Sequence, residues 1–115
     1  MSELSIIQKT YDLVKWYIPI LNRLPRSHKF TLGERMITGL YEFLEGLIVV
    51  QYSSKKFAQL KTLNGKLDVL RYQTRLLVDF GLMDEKRYAY VTQLLVEIGN
   101  ELGGWIKQQN QREQR

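Results

Sequence analysis

Cysteine is absent from the 115 residues, which excludes disulfides, thiol nucleophiles and the usual structural zinc ligands. Histidine occurs once, at His28, and no Glu-x-x-His pair exists, so a metal site built between facing helices lacks its usual donors. Gly-rich phosphate loops of the GxxxxGK[ST] or GxGxxG kind are missing, as are nucleophile motifs. The close acid pairs are Glu42 with Glu45 and Asp84 with Glu85. The first reads as solvated surface carboxylates, the second as a helix start, where the dipole favours negative charge. Neither an enzyme nor a cofactor or metal is expected. Long apolar runs are also lacking: the most apolar window, Leu40 to Val50, is interrupted by Glu42 and Glu45. That argues against a signal peptide or a membrane span, and the cytoplasm is the expected compartment.

What is present is ordinary for a globular chain, 44% hydrophobic and 25% charged, and the length fits one domain over residues 1–115. Lysine and arginine outnumber the acids 17 to 12, for a net charge of +5. With a pI near 9.5, the balance is compatible with an anionic partner.

Apolar residues recur at spacings of three and four in four segments, the pattern of helices with one buried face. From Glu3 to Arg23 the line is Ile6, Thr10, Leu13, Tyr17, Ile20 and Leu24, with Pro19 inside it as an expected kink or break. From Leu32 to about Tyr52 it is Leu32, Met36, Leu40, Phe43, Leu47 and Val50. From Phe57 to Leu82 it is Leu60, Leu63, Leu67, Leu70, Thr74 and Leu77. Asp84 reads as an N-cap, followed by Tyr88, Val91, Leu95, Ile98, Leu102 and Trp105. Pro25 ends the first pattern, and Thr31 with Glu34 makes a T-x-x-E capping box opening the second. The polar tail QQNQREQR, Gln108 to Arg115, is expected to fray. Similar helix lengths and short connections predict an all-α, antiparallel four-helix bundle.

Two surface features go beyond one core. Val69, Tyr72, Leu76 and Phe80 form a second apolar stripe on the third helix, which needs cover either from another copy of the chain or from a wide face within one subunit. Gly99 and Gly103, on a line with Ala89, Thr92 and Val96, and the pair Gly39 and Gly46 make strips of small residues. Glycine inside a helix costs about 1 kcal/mol relative to alanine, and close approach of another backbone, internal or from a second subunit, would repay it.

The bases are clustered. Lys55, Lys56, Lys61, Lys66, Arg71 and Arg75 stand against the single acid Asp68. Arg71 and Arg75, like charges one turn apart, suit a phosphate or an acidic surface, while a solvated charge ladder including Arg75 with Asp79 is the plainer alternative. Arg23, Arg26, His28 and Lys29 make a second basic cluster at the first corner, where a turn-stabilising hydrogen bond is the expected role of His28.

Three segments in order, PRSHKFTLGERM, LDVLRYQTRLL and VEIGNELGGWI, together resemble the accessory variability determinant family of diversity-generating retroelements. The family sits in a wider four-helix bundle group that includes proteins encoded by intervening sequences of bacterial 23S ribosomal RNA genes. The resemblance runs from about Tyr11 to Ile106. It implies a homopentameric barrel of four-helix bundles with a positive surface, non-enzymatic, associating with the retroelement's reverse transcriptase and with template RNA or complementary DNA in mutagenic retrohoming. Carried onto this sequence, it implies that the binding residues include Arg71, Arg75, Arg26, His28 and Lys29, joined by Lys55, Lys56 and Lys61 of the basic stretch. It likewise implies that Val69, Tyr72, Leu76, Phe80, Gly99 and Gly103 lie at the subunit contact. Membership of the intervening-sequence branch would instead imply a structural or assembly module with no nucleic-acid role.

Overall fold

The computed structural model describes residues 3–114. Four long helices follow one another, α1 (Glu3–Asn22), α2 (Glu34–Val50), α3 (Phe57–Asp79) and α4 (Glu85–Glu113), with no strand among the described residues. Each helix packs on the next and α4 closes back onto α1, giving an up-down-up-down bundle with short connections. The molecule is elongated, 50 × 24 × 20 Å. The α1–α2 corner and the α3–α4 turn lie at one end, here called the corner end. The α2–α3 turn lies at the other, with the last turns of α4.

The apolar lines read from the sequence fill the core. On α3 all six expected positions are buried, Leu60, Leu63, Leu67, Leu70, Thr74 and Leu77. On α2 Met36, Leu40, Phe43, Leu47 and Val50 are buried, and on α4 Val91, Leu95, Ile98, Leu102 and Trp105. Leu32 and Tyr88 are half-buried at the margins. In α1, Leu21 rather than Ile20 completes the line, because four residues beyond Tyr17 returns closest to the same face. One polar bond crosses the core diagonally: the Tyr17 and Thr74 hydroxyls lie 2.7 Å apart. Burial raises the Tyr17 phenol pKa above its ordinary 10.0 and keeps it protonated.

Several local expectations change. α1 runs through Pro19 without a break; Pro19 and Lys15 are exposed, so the carbonyl that loses its amide donor faces water. The T-x-x-E capping box does not form. A single helical turn, Arg26–His28, leads into a π-helical stretch, Lys29–Gly33, and then α2, so the helical path already begins at Pro25, whose carbonyl accepts from the His28 and Lys29 amides at 2.9 and 2.8 Å. Thr31 therefore sits inside a helical run, and its hydroxyl donates back to the Ser27 and His28 carbonyls at 3.4 and 3.3 Å.

At the far end of α3 the helix stops at Asp79, short of Leu82, because Gly81 takes φ +72°. The Gly81 amide returns to the Val78 carbonyl and the Leu82 amide to Leu77, at 2.9 and 2.7 Å, the paired bonds of a Schellman cap. Asp84 caps α4 as expected, accepting from the Arg87 amide at 2.7 Å.

The polar tail is helical to Glu113 instead of frayed; Arg115 lies outside the described residues. Gln109 is buried, and the Glu113 carboxylate accepts from the Phe57 amide at 2.9 Å. α4 thus supplies the cap that the first turn of α3 lacks from its own Lys56. Along the α1–α4 seam, Lys9 pairs with Glu101 at 2.7 Å and with Glu97 at 3.6 Å. The hydrogen bond to Glu101 raises the Lys9 ammonium above its ordinary 10.5.

Candidate nucleic-acid and partner interface

α3 carries three of the eight expected binding residues, Lys61, Arg71 and Arg75, together with Lys66, and its helical twist sends them in different directions. Lys66 turns toward α2 and meets Glu42 at 3.1 Å. Arg71 turns toward α4: Nη1 lies 3.6 Å from Asp68, and Nη2 donates to the Leu95 carbonyl at 3.5 Å. The guanidinium lies so close over Gly99 that a Cβ there would collide with it. The missing side chain at position 99 therefore makes room for Arg71 of the same chain, not for a neighbouring backbone. Arg75 points outward. It makes no ion pair with Asp79 among the described residues, and its guanidinium lies over the Tyr72 ring at 5.5 Å. Arg71 and Arg75 are thus one seam residue and one surface residue rather than a matched pair.

The other cations divide between the two ends of the bundle. At the corner end, His28 stacks on Phe80, ring centres 5.3 Å apart and planes 27° apart, which ties the Arg26–Lys29 corner to the last turn of α3. His28 makes this aromatic contact rather than the expected turn hydrogen bond among the described residues. Arg26 is exposed and Lys29 lies over the Phe30 ring at 5.7 Å. Arg75, five residues before Phe80 on α3, lies toward the same end of the bundle, about 140° round the helix from it. At the opposite end, the Lys56 ammonium donates to the Ser53 carbonyl at 2.8 Å, Lys61 sits over Phe57 at 5.3 Å, and Lys55 is exposed. Lys56 and Arg75 are separated by roughly 28 Å along the helix at ~1.5 Å per residue. The basic stretch of the sequence is therefore two surfaces.

Lys86 and Arg87, exposed in the first turn of α4, add to the corner end and were not singled out from the sequence. Their neighbours Asp84 and Glu85 hide them in a count of local charge; the topological signal is that the start of α4 must lie beside the end of α3.

The stripe of Val69, Tyr72, Leu76 and Phe80 is largely open to solvent, at 54%, 60%, 40% and 52% exposure, although His28 stacks on Phe80 and Arg75 lies over Tyr72. Gly103 and Gly104 also face open space, whereas Gly46 makes room for Leu63 of α3 and a Cβ at Gly39 would make only an ordinary contact with Leu70. A shallow, open groove of about 430 Å³ runs beside α2, lined by Phe30, Thr31, Glu34, Arg35, Thr38, Gly39 and Glu42. Among the described residues no group of three or more His, Cys, Asp or Glu side chains could hold a metal ion, and no helix is long and apolar enough to cross a membrane.

The family model described as bAvd-like matches residues 4–109. The chain belongs to the bAvd-like family. None of the curated proteins matches it. The match spans all four helices of the bundle, up to Gln109, the last buried residue of α4. In this bAvd-like bundle, the corner end offers exposed cations beside exposed aromatic faces, a combination able to hold phosphate oxygens or a carboxylate surface through charge-assisted hydrogen bonds.

Proposed function

We propose that this bAvd-like protein is a non-enzymatic accessory of a diversity-generating retroelement. It assembles as a homopentameric barrel and bridges the reverse transcriptase to its template RNA or complementary DNA. The observation that carries the proposal is the family match over residues 4–109. The charge distribution supports its nucleic-acid half: Arg26, Lys29 and Arg75 stand at one end of the bundle with no carboxylate partner among the described residues. Lys86 and Arg87 extend that surface. Contacts of this kind go to phosphates, so they give affinity and orientation without reading base sequence. Lys55, Lys56 and Lys61, at the opposite end, form a separate basic surface. The assembly half is supported by the exposed ridge Val69, Tyr72, Leu76 and Phe80 and by Gly103.

Arg71 takes the lesser binding role because its guanidinium is already held by Asp68 and the Leu95 carbonyl. The test is a salt titration of binding to a generic RNA. Arg75→Ala and Lys29→Ala should each weaken binding and lower the slope of log K against log salt by about one counterion, while Arg71→Ala changes that slope less. Slopes unchanged in both surface variants would refute the corner assignment. Absence of RNA binding at low salt by folded protein would favour a structural or assembly module instead.

A further inference from the structure

Exposed aromatic rings at the corner end already have partners. Lys29 lies over Phe30, Arg75 over Tyr72, and His28 stacks on Phe80. Tyr52, in the turn after α2, is different. It is 85% exposed, more than any other large hydrophobic residue described, and neither an aromatic ring nor a cation lies against it among the described residues. The turn that presents it is tied down. The Tyr52 and Ser53 amides donate to the Val49 and Val50 carbonyls, both at 3.1 Å. The Ser53 hydroxyl donates to the Lys55 carbonyl and accepts from Gln59 Nε2, both at 3.0 Å, and the Lys56 ammonium donates to the Ser53 carbonyl at 2.8 Å. A free ring on an ordered turn is preorganised for a flat partner.

Charge gives the sign of that partner. From Ser53 to Thr62 the chain carries Lys55, Lys56 and Lys61 and no acid. The bond from the Phe57 amide to Glu113 holds the last turn of α4, with exposed Arg112, at the same end. Glu113 is itself committed to that bond, and Glu45, the nearest acid of α2, lies about 10 Å back along the helix from Tyr52. The corner end is less one-sided, since Asp79, Asp84 and Glu85 stand among its cations.

We propose that the α2–α3 turn is a second nucleic-acid site, one that takes single strands: an unpaired base stacks on Tyr52 while Lys55, with Lys61 and Arg112 extending the positive surface, holds the flanking phosphates. This rests on the nucleic-acid reading above and gives the two ends of the bundle different substrates. Phosphate contacts alone, as at the corner end, accept single strands and duplexes alike. A duplex keeps its base faces within its own stack, so Tyr52 adds nothing to duplex binding. In a single strand every base offers a free π-face, and stacking on an aromatic ring tolerates any sequence. Lys61 covers the Phe57 ring at 5.3 Å, so Tyr52 is the ring left for a base. Lys56, held by the Ser53 carbonyl, fixes the turn. The stack uses the ring of Tyr52 and not its hydroxyl, so phenylalanine serves equally there.

Fluorescence anisotropy of the full chain with a short, end-labelled, unstructured RNA, alone and annealed to its complement, tests this across a salt titration. Tyr52→Ala should weaken single-strand binding by about 5- to 140-fold, the loss of one base–aromatic stack, and leave duplex binding and the salt slope unchanged. Tyr52→Phe should keep wild-type affinity. Lys55→Ala should lower the single-strand slope by about 0.7, the share of one phosphate contact. Both side chains are exposed, so each variant should keep the helicity of wild type. Equal weakening of both RNA forms by Tyr52→Ala, or weakening of neither, overturns the stacking site while the corner assignment stands. Unchanged RNA binding with loss of reverse-transcriptase capture makes the turn a protein-docking surface and overturns the proposal too. Failure of wild type to bind either form at low salt overturns this inference and the nucleic-acid reading together.

Discussion

Replacing Thr74 with valine removes one oxygen and almost no volume, yet it should be among the most damaging conservative changes in the core. The Thr74 hydroxyl is the partner of Tyr17, 2.7 Å away across the bundle, and both residues are essentially inaccessible. In Thr74→Val the Tyr17 hydroxyl stays buried without a partner, at about 1–3 kcal/mol. Tyr17→Phe should cost less, about 1 kcal/mol, because a helical threonine can fall back on a carbonyl one turn earlier in its own helix. The double variant should recover much of the loss, since two apolar groups of similar shape replace a satisfied pair. Urea unfolding followed by circular dichroism, at fixed protein concentration because assembly shifts apparent stability, measures the cycle. A coupling energy of 0.5 kcal/mol or more is the expected outcome, in the range of about 0.5–3 kcal/mol for residues in contact. Strictly additive single losses, or a neutral Thr74→Val, would refute the reasoning.

The same phenol governs the alkaline limit. Tyr17 has its pKa raised in the folded state from 10.0, so above pH 10 the unfolded chain ionises first and stability falls as pH rises, with no contribution below; Tyr17→Phe should flatten that fall in pH-dependent unfolding. Lys9, raised from 10.5 by Glu101, acts in the same direction at higher pH, so Glu101→Gln should weaken the decline that remains. Glu113→Ala should cost about 1 kcal/mol in urea unfolding by removing the cap on α3, despite lying in a tail that reads as polar and dispensable. Gly103→Ala faces open space and should stabilise the isolated subunit by up to about 1 kcal/mol. Gly99→Ala gains the same helical preference but must push Arg71 aside, so its thermal shift should be the smaller of the two.

The buried face of α3 was fully legible because six core residues keep a spacing that only a helix satisfies. The Asp84 cap was legible because its side chain acts on the chain immediately after it. The corner was not: T-x-x-E describes a helix that begins at Thr31, and nothing in those four residues reports that Pro25 has already started the helical path. The end of α4 was readable in part, since Gln109 continues the line Leu102, Trp105 with a spacing of four, but its polarity masked a core position.

The binding surface was the least legible. Local charge gathers Lys55 through Arg75 into one cluster, while the fold sends Lys66 to Glu42, Arg71 over Gly99, Lys56 to Ser53 and Arg75 out to Tyr72. Each of those choices depends on which helix lies alongside, and only the folded bundle supplies that neighbour. The stacking of His28 on Phe80 joins residues more than fifty positions apart, so the corner and the end of α3 could not be recognised as one surface from spacing.

The most direct test of the central claim is capture of a diversity-generating retroelement reverse transcriptase from the same genome by the tagged, folded protein, with and without template RNA. A stable complex is expected, strengthened by the RNA at low salt and weakened when Arg26, Lys29 and Arg75 are all replaced by alanine. No capture at low salt, from protein shown to be folded and oligomeric, would contradict the accessory role.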